Sequence, residues 1–202
     1  MLKTPKTEIM EQEVKFAKNV MLIDAAYLDR VAKDLSKHFG EALGRKLQKA
    51  DLPVLLECLA LDAGLRMGEN AIQVLFIYDK ESKIMKAVQP GNLEKELNDV
   101  AFKSQLGEFS FHSFEPSDMT DREELFLESL KLVADAKEVE RLLVIPAEGE
   151  YDDKVSALIN KVNGKEHIAV FTMNPPTEEV SYLWEMLGFA ILQSLGIKAD
   201  EL

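Results

Sequence analysis

"RLLVIPAEGEYDDKVSALI", Arg141 to Ile159, contains in immediate succession a strand, an acidic turn and a helix. The run "RLLVIP" is continuously apolar, which is typical of a strand buried on both faces. After the turn, "DDKVSALI" spaces its apolar residues as a helix does and begins with two acids that suit a helix N-terminus. A strand that passes directly into a helix is the repeating unit of α/β folds with parallel strands.

The same pattern recurs along the chain. Predicted strands are "NVMLID" (Asn19 to Asp24), "AIQVLFIYD" (Ala71 to Asp79), "GEFSFHSFEP", "RLLVIP" and "HIAVFTM". Predicted helices lie between them at Tyr27 to Leu43, "ADLPVLLECLALDAGL", Leu93 to Lys103, "SDMTDREELFLESLKLVADAKE" and "DDKVSALINKV", with a closing helix from Glu178 to Leu195. The alternation predicts a three-layer α/β/α sandwich around a mostly parallel five-stranded sheet.

Length and composition favour one domain. The 202 residues are 47% hydrophobic with a formal net charge of −12, and a chain of roughly 100 to 200 residues most simply forms a single core. We expect a single domain over residues 1–202, with an N-terminal arm at 1–18 and a C-terminal helix and tail at 178–202.

The same composition bears on location and partners. No apolar run reaches the roughly 20 residues needed to cross a bilayer, and the N-terminus lacks an apolar secretory core, so we expect no membrane and a cytoplasmic protein. The acidic charge opposes broad attraction to nucleic acid. The lone Cys58 is predicted to be a buried helix residue. No glycine-rich phosphate loop follows any strand, so no nucleotide cofactor motif is present.

Acids stand where three predicted strands end: Asp24, Asp79, and Glu148 with Glu150. In a doubly wound sheet, ligands bind at the carboxyl ends of the strands. Carboxylates gathered there repel one another unless a hard cation such as Mg²⁺ lies between them. The alternative is that they complement helix dipoles, which could account for at least Asp152 and Asp153.

The order of the elements and two motifs resemble the PIN-like nuclease superfamily, in particular its NYN branch. The first motif is "LIDAAYL" at the end of the first strand, and the second is "VIPAEGEYDDKV" after the fourth. The resemblance covers roughly residues 19–173. It implies a divalent metal site that activates water for phosphodiester cleavage.

The resemblance transfers residue by residue. Asp24 matches the acid of the first motif, where Tyr27 replaces an asparagine, and Glu148 and Glu150 replace two aspartates of the second. Glu124 is nearest to an aspartate that the family carries at the start of the preceding helix. The candidate catalytic residues are therefore Asp24, Glu124, Glu148 and Glu150, and the candidate metal ligands are Asp24, Glu148 and Glu150.

Only Asp24 keeps the family's residue type. Each exchange of aspartate for glutamate moves a carboxylate outward by one methylene, and Mg²⁺ requires near-ideal octahedral geometry. Two functions therefore stay open. One is a divergent NYN/PIN-like domain, non-catalytic or weakly active, that uses the strand-end crevice for binding. The other is an active ribonuclease that uses Mg²⁺ or Mn²⁺ at a glutamate-substituted site.

The sequence leaves the partner open between RNA and protein. The last predicted helix carries more apolar residues than one face needs, and Met67, Met85 and Met186 are adaptable packing residues, which together leave room for a homodimer surface. No cofactor is required unless the site is active.

Overall fold

The computed structural model describes residues 15–165 and 167–201. Residues 1–14 of the predicted N-terminal arm lie outside the described residues. The elements are, in chain order, β1 (Asn19–Asp24), α1 (Ala25–Ala42), β2 (Ala50–Asp51), α2 (Leu52–Asp62), β3 (Asn70–Ile77), β4 (Val88–Gln89), β5 (Val100–Ser104), β6 (Gly107–Phe114), α3 (Arg122–Asp135), β7 (Arg141–Ile145), α4 (Asp152–Ile159), β8 (His167–Thr172), β9 (Leu183–Met186), α5 (Leu187–Ser194) and a 3₁₀ turn at Ala199–Glu201.

The main sheet has seven strands in the order β5-β6-β3-β1-β7-β8-β9. All neighbouring pairs are parallel except β5 with β6. The predicted α/β class with a mostly parallel sheet is confirmed, whereas the predicted count of five strands is wrong. Numbered along the chain, the six parallel strands lie in the order 3-2-1-4-5-6, the order of doubly wound folds.

Strand β1 occupies the centre of this sheet, and all six of its residues are buried. Its neighbours are β3 and β7, so the strand order reverses on its two sides. Asp24 pairs in register with Ile77, and Ile23 with Ile145. The carboxyl ends of β1, β3 and β7 therefore lie side by side, which is where a doubly wound fold forms its crevice.

The helices form two groups by their contacts. Helix α5 contacts α1 and α2, while α3 contacts α4. The buried apolar residues of strands and helices belong to one continuous core. None of the helices in residues 15–165 and 167–201 combines the length and hydrophobicity needed to cross a membrane.

Two predicted helices are wrong in whole or in part. The segment 93–103 forms turns and then enters β5, whose Phe102 stacks on Phe109 of β6 with ring centroids 4.7 Å apart. The predicted closing helix at 178–195 is instead a loop, the short strand β9 and the helix α5. In both places the pairing of a strand with the sheet edge overrides local helical spacing.

Candidate functional site

Asp24 lies at the centre of the crevice and is fully buried. As the N-cap of α1, its Oδ1 accepts a hydrogen bond of 2.8 Å from the backbone N–H of Tyr27. Its Oδ2 accepts from the Tyr151 hydroxyl and, at 2.9 Å, from Nε of Arg122. The carboxylate is thus satisfied by three donors and one neighbouring positive charge.

The guanidinium of Arg122 joins three carboxylates. Besides Asp24, its Nη1 donates to Asp79 Oδ2 at 2.5 Å and its Nη2 to Glu150 Oε2 at 2.8 Å. The Arg122 side chain is only 18% exposed. The ends of β1 and β3 and the turn after β7 therefore meet around one fixed cation.

Glu150 is shared between two arginines. Its second oxygen, Oε1, accepts from Nη1 of Arg30 at 2.9 Å. The Arg30 guanidinium in turn lies over the Tyr27 ring, 5.3 Å from its centroid. Glu150 is therefore held at the rim of the crevice by two cations and is not directed toward Glu148.

Glu148 points to the other side of the turn. Its Oε2 accepts from the Tyr27 hydroxyl at 2.5 Å and from the backbone N–H of Met173 at 2.7 Å. Its Oε1 accepts from the backbone N–H and the side-chain amide of Asn174 at 3.0 and 2.8 Å. Four donors occupy this carboxylate, which ties the turn after β7 to the segment after β8.

Glu124 does not join the site. Its backbone N–H donates to the α3 N-cap Asp121, its side chain is exposed, and it makes no hydrogen bond to Asp24, Glu148 or Glu150. The structure thus brings Asp24 and Glu150 together through Arg122, places Glu148 beside them with other partners, and leaves Glu124 outside. Within the described ranges, no group of three or more His, Cys, Asp or Glu side chains is placed to hold a metal ion.

The pKa directions follow from burial and these contacts. Burial raises the pKa of Asp24, and Arg122 and its other donors offset this only in part. Burial opposes the charge of Arg122, but Asp24, Asp79 and Glu150 outweigh burial and raise the arginine's pKa. Burial would raise the pKa of Asp79, yet hydrogen bonds from Ser82 and Arg122 bring it below its ordinary value.

Two tyrosines act as fixed donors. Burial first, and then the adjacent carboxylates, raise the pKa of Tyr27 beside Glu148 and of Tyr151 beside Asp24. Both hydroxyls therefore keep their protons at neutral pH and donate to those carboxylates. Burial would also raise the pKa of Glu148, but the Tyr27 hydroxyl, the Asn174 amide and two backbone N–H groups lower it.

The residue that sequence reasoning missed is Arg122. It lies at the first position of α3, where the positive end of the helix dipole disfavours a cation. An arginine at this position of the acid-rich run "SDMTDREEL" therefore indicates that carboxylates from elsewhere in the fold pair with its positive charge. Tyr27 was considered only as a replacement of a family residue, whereas both Tyr27 and Tyr151 donate to candidate acids.

One family model matches almost the whole chain. The model of DUF6621, described as a family of unknown function, matches residues 13–202. Comparison with curated proteins gave no match, and comparison with solved structures gave none.

Proposed function

Since the chain belongs to DUF6621, a family of unknown function, we propose from its contacts that it is a divergent, three-layer PIN/NYN-like domain that works by binding. In this proposal the crevice at the carboxyl ends of β1, β3 and β7 is a non-catalytic binding region. The observation that carries the proposal is the position of Arg122 among Asp24, Asp79 and Glu150.

The guanidinium supplies the positive charge that a divalent ion would supply. Three carboxylates close together repel one another unless a cation neutralises them. Arg122 offsets much of this repulsion with one N–H directed at each carboxylate. Its planar fork suits this task better than a lysine would. A metal ion in the same place would have to displace a side chain held by three ion pairs.

The remaining carboxylate is equally occupied. Glu148 has four donors on its two oxygens, so its lone pairs are directed at the protein and not at an open coordination site. Metal-assisted hydrolysis needs a cation with open positions for water and for the leaving oxygen. The contacts of Glu148 and Arg122 support a structural role for these residues.

Open space beside the cluster supports binding. A groove of about 590 Å³ extends from Arg122 and Tyr151 over the loop at 115–121, where residues Glu115 and Asp118 bring further negative charge. Grooves of this size are typical of ligand sites, and the acidic lining opposes an RNA backbone. A protein partner therefore fits the crevice better than RNA does.

Incubation with labelled single-stranded RNA and Mn²⁺ tests the proposal. We expect the wild type to leave the RNA intact, as Asp24→Asn and the double variant Glu148→Gln/Glu150→Gln do. Cleavage by the wild type that both variants lose would overturn the proposal and establish the ribonuclease alternative. Cleavage at one rate in all three proteins excludes these acids as its source, as the proposal requires.

A further inference from the structure

A second groove, of about 710 Å³, lies on the other side of the Glu148 turn. Its walls are α4 and the loop at 174–182, and its floor includes Val170 of β8 and Trp184 of β9. Pairing in register places Val170 beside Trp184, so both belong to the edge of the sheet next to α4. We call this space the aromatic groove.

The aromatic rings of this groove have their polar atoms satisfied within the protein. The indole Nε1–H of Trp184 donates to Oγ1 of Thr172 at 2.8 Å. The hydroxyl of Tyr182 lies 2.7 Å from Oγ of Ser156 on α4. Both side chains are half-buried, so the carbon surface of the rings is what they present to a ligand.

Charge at the rim is of one sign. Asp153 on α4 and Glu178 and Glu179 on the opposite loop are exposed. Their carboxylates make no hydrogen bond or ion pair with any residue that the structure describes. No lysine or arginine lines the groove, in contrast to the groove beside Arg122. Aromatic surface below and free carboxylates above are the chemistry that receives a lysine or arginine side chain.

The shape of the region favours a peptide over a small cation. Strand β9 is the last strand on its side of the sheet, so one of its edges has no partner strand among the described elements. Such an edge binds an extended segment through main-chain hydrogen bonds, and alternate side chains of that segment then lie over the same face. A peptide along β9 would place every second side chain on the face of the sheet that carries Trp184.

We propose that the aromatic groove binds an extended, arginine- or lysine-bearing segment of a partner protein. The charge complementarity of the rim selects the basic side chain, and the planar guanidinium stacks best on the indole. The inference goes beyond the proposed function, since it adds a binding surface on the other side of the Glu148 turn from the Arg122 crevice.

The molecule contains its own reporter, because Trp184 is the single tryptophan of the chain. A blocked peptide Ac-Gly-Arg-Gly-Arg-Gly-NH₂ is titrated into the wild type near 0.15 M salt, where the screening length is about 8 Å and long-range attraction is weak. We expect a saturable change in Trp184 emission. The same peptide with citrulline in place of arginine keeps the size but not the charge, and should produce none.

Two double variants separate groove contacts from net charge. Glu178→Gln/Glu179→Gln should raise the dissociation constant of the arginine peptide about tenfold. Glu41→Gln/Glu69→Gln removes the same charge at exposed positions that do not line the groove, and should leave the dissociation constant unchanged. Equal effects of the two pairs, or no saturable change in the wild type, would overturn the inference.

Amide NMR shifts measured in the same titration locate the peptide. Shifts confined to 152–160 and 170–184 support the aromatic groove. Shifts at 115–123 would instead move binding to the Arg122 groove and overturn this inference, while leaving the proposed function standing. If spermine binds as tightly as the peptide, the ligand of the groove is a small polyamine and not a peptide, and the inference is overturned. A change of Trp184 emission with protein concentration alone would assign the region to a second copy of the chain. RNA cleavage, by contrast, overturns the proposed function whatever the titration gives.

Discussion

The side chain of Arg122 does what a bound metal does in many strand-end sites: it allows several carboxylates to stay close together. Its three ion pairs reach Asp24, which is fully buried, and Asp79 and Glu150, whose side chains are 31% and 39% exposed. A buried carboxylate without a partner costs several kcal/mol, so the cation is needed for the fold itself. A tethered cation also does not exchange with solvent.

Replacing Arg122 tests its share in stability. Arg122→Met should lower the free energy of unfolding by about 3 to 5 kcal/mol, because it leaves Asp24 buried without its cation. The control Arg30→Met removes an arginine whose side chain is 50% exposed, so its loss should be below about 1 kcal/mol. Urea unfolding measures both, and equal losses would show that Arg122 is no more than a surface ion pair.

The hydroxyl of Tyr151 gives a second test at this scale. Tyr151 is 2% exposed and donates to the buried Asp24, so Tyr151→Phe should cost about 1.5 to 3 kcal/mol, the range for a hydrogen bond to a charged acceptor. Tyr182→Phe removes a half-buried hydroxyl bonded to Ser156 and should cost about 0.5 to 1 kcal/mol. A larger loss for Tyr182→Phe would contradict the assigned network.

The sequence predicted where acids end strands but not how they pair. Arg122 meets partners that lie 98, 43 and 28 residues away in the chain. Local patterns carry no information on contacts at such separations. The glutamates at 148 and 150 point in different directions because the turn between them contains Gly149 with φ of +80°, a detail that spacing alone does not reveal.

At the scale of elements, Glu148 joins the turn after β7 to the segment after β8. Its pKa is lowered from an ordinary value of 4.5, so the unfolded chain takes up this proton at a higher pH than the folded protein does. Stability from Glu148 is therefore present above about 4.5 and lost as the pH falls through its folded pKa.

Glu148→Gln should accordingly weaken the loss of stability that the wild type shows as the pH falls below about 4.5. Glu124→Gln, whose exposed carboxylate accepts none of these hydrogen bonds, is the matched control. Urea midpoints across this range measure the effect. Asp24 has the opposite effect on the pH dependence of stability, because its pKa is raised. The stability that Asp24 contributes is present below its ordinary pKa and is lost as the pH rises through its folded pKa.

The start of β6 depends on Gly107. It has φ of +129°, and a Cβ there would lie 2.1 Å from the carbonyl oxygen of Asn70 on β3. Gly149 also has a positive φ, but a Cβ there meets open space. Gly107→Ala should therefore cost at least about 2 kcal/mol more than Gly149→Ala, which carries only the conformational strain. Similar melting temperatures for the two variants would contradict this packing.

Elements with continuous apolar runs were predictable, and edge strands were not. Strands β1, β3, β7 and β8 are buried along most of their length, so their sequences are apolar whatever their neighbours. Strands β5 and β9 lie at the two sheet edges and are partly exposed, which gives them mixed sequences that read as helix. Only their pairing with β6 and β8 fixes them as strands.

At the scale of the whole molecule, a homodimer stays a prediction. Phe189 and Met67 are 63% and 69% exposed and are available for contact, but Met85 is buried and belongs to the core.

The position of β1 between β3 and β7 is the feature that places the strand-end acids together, and the order of parallel strands alone creates this crevice. We propose that Arg122 stands there in place of a metal ion.

The melting temperature with and without Mn²⁺ tests that claim most directly, with wild type, Arg122→Ala and Asp24→Asn compared. Any protein that binds the ion in its folded state alone gains stability, at about 2 to 4 °C for each kcal/mol in a chain of this size. We expect no shift for the wild type and a rise for folded Arg122→Ala, whose three carboxylates then lack the cation that they shared. A rise in the wild type that Asp24→Asn loses would contradict it.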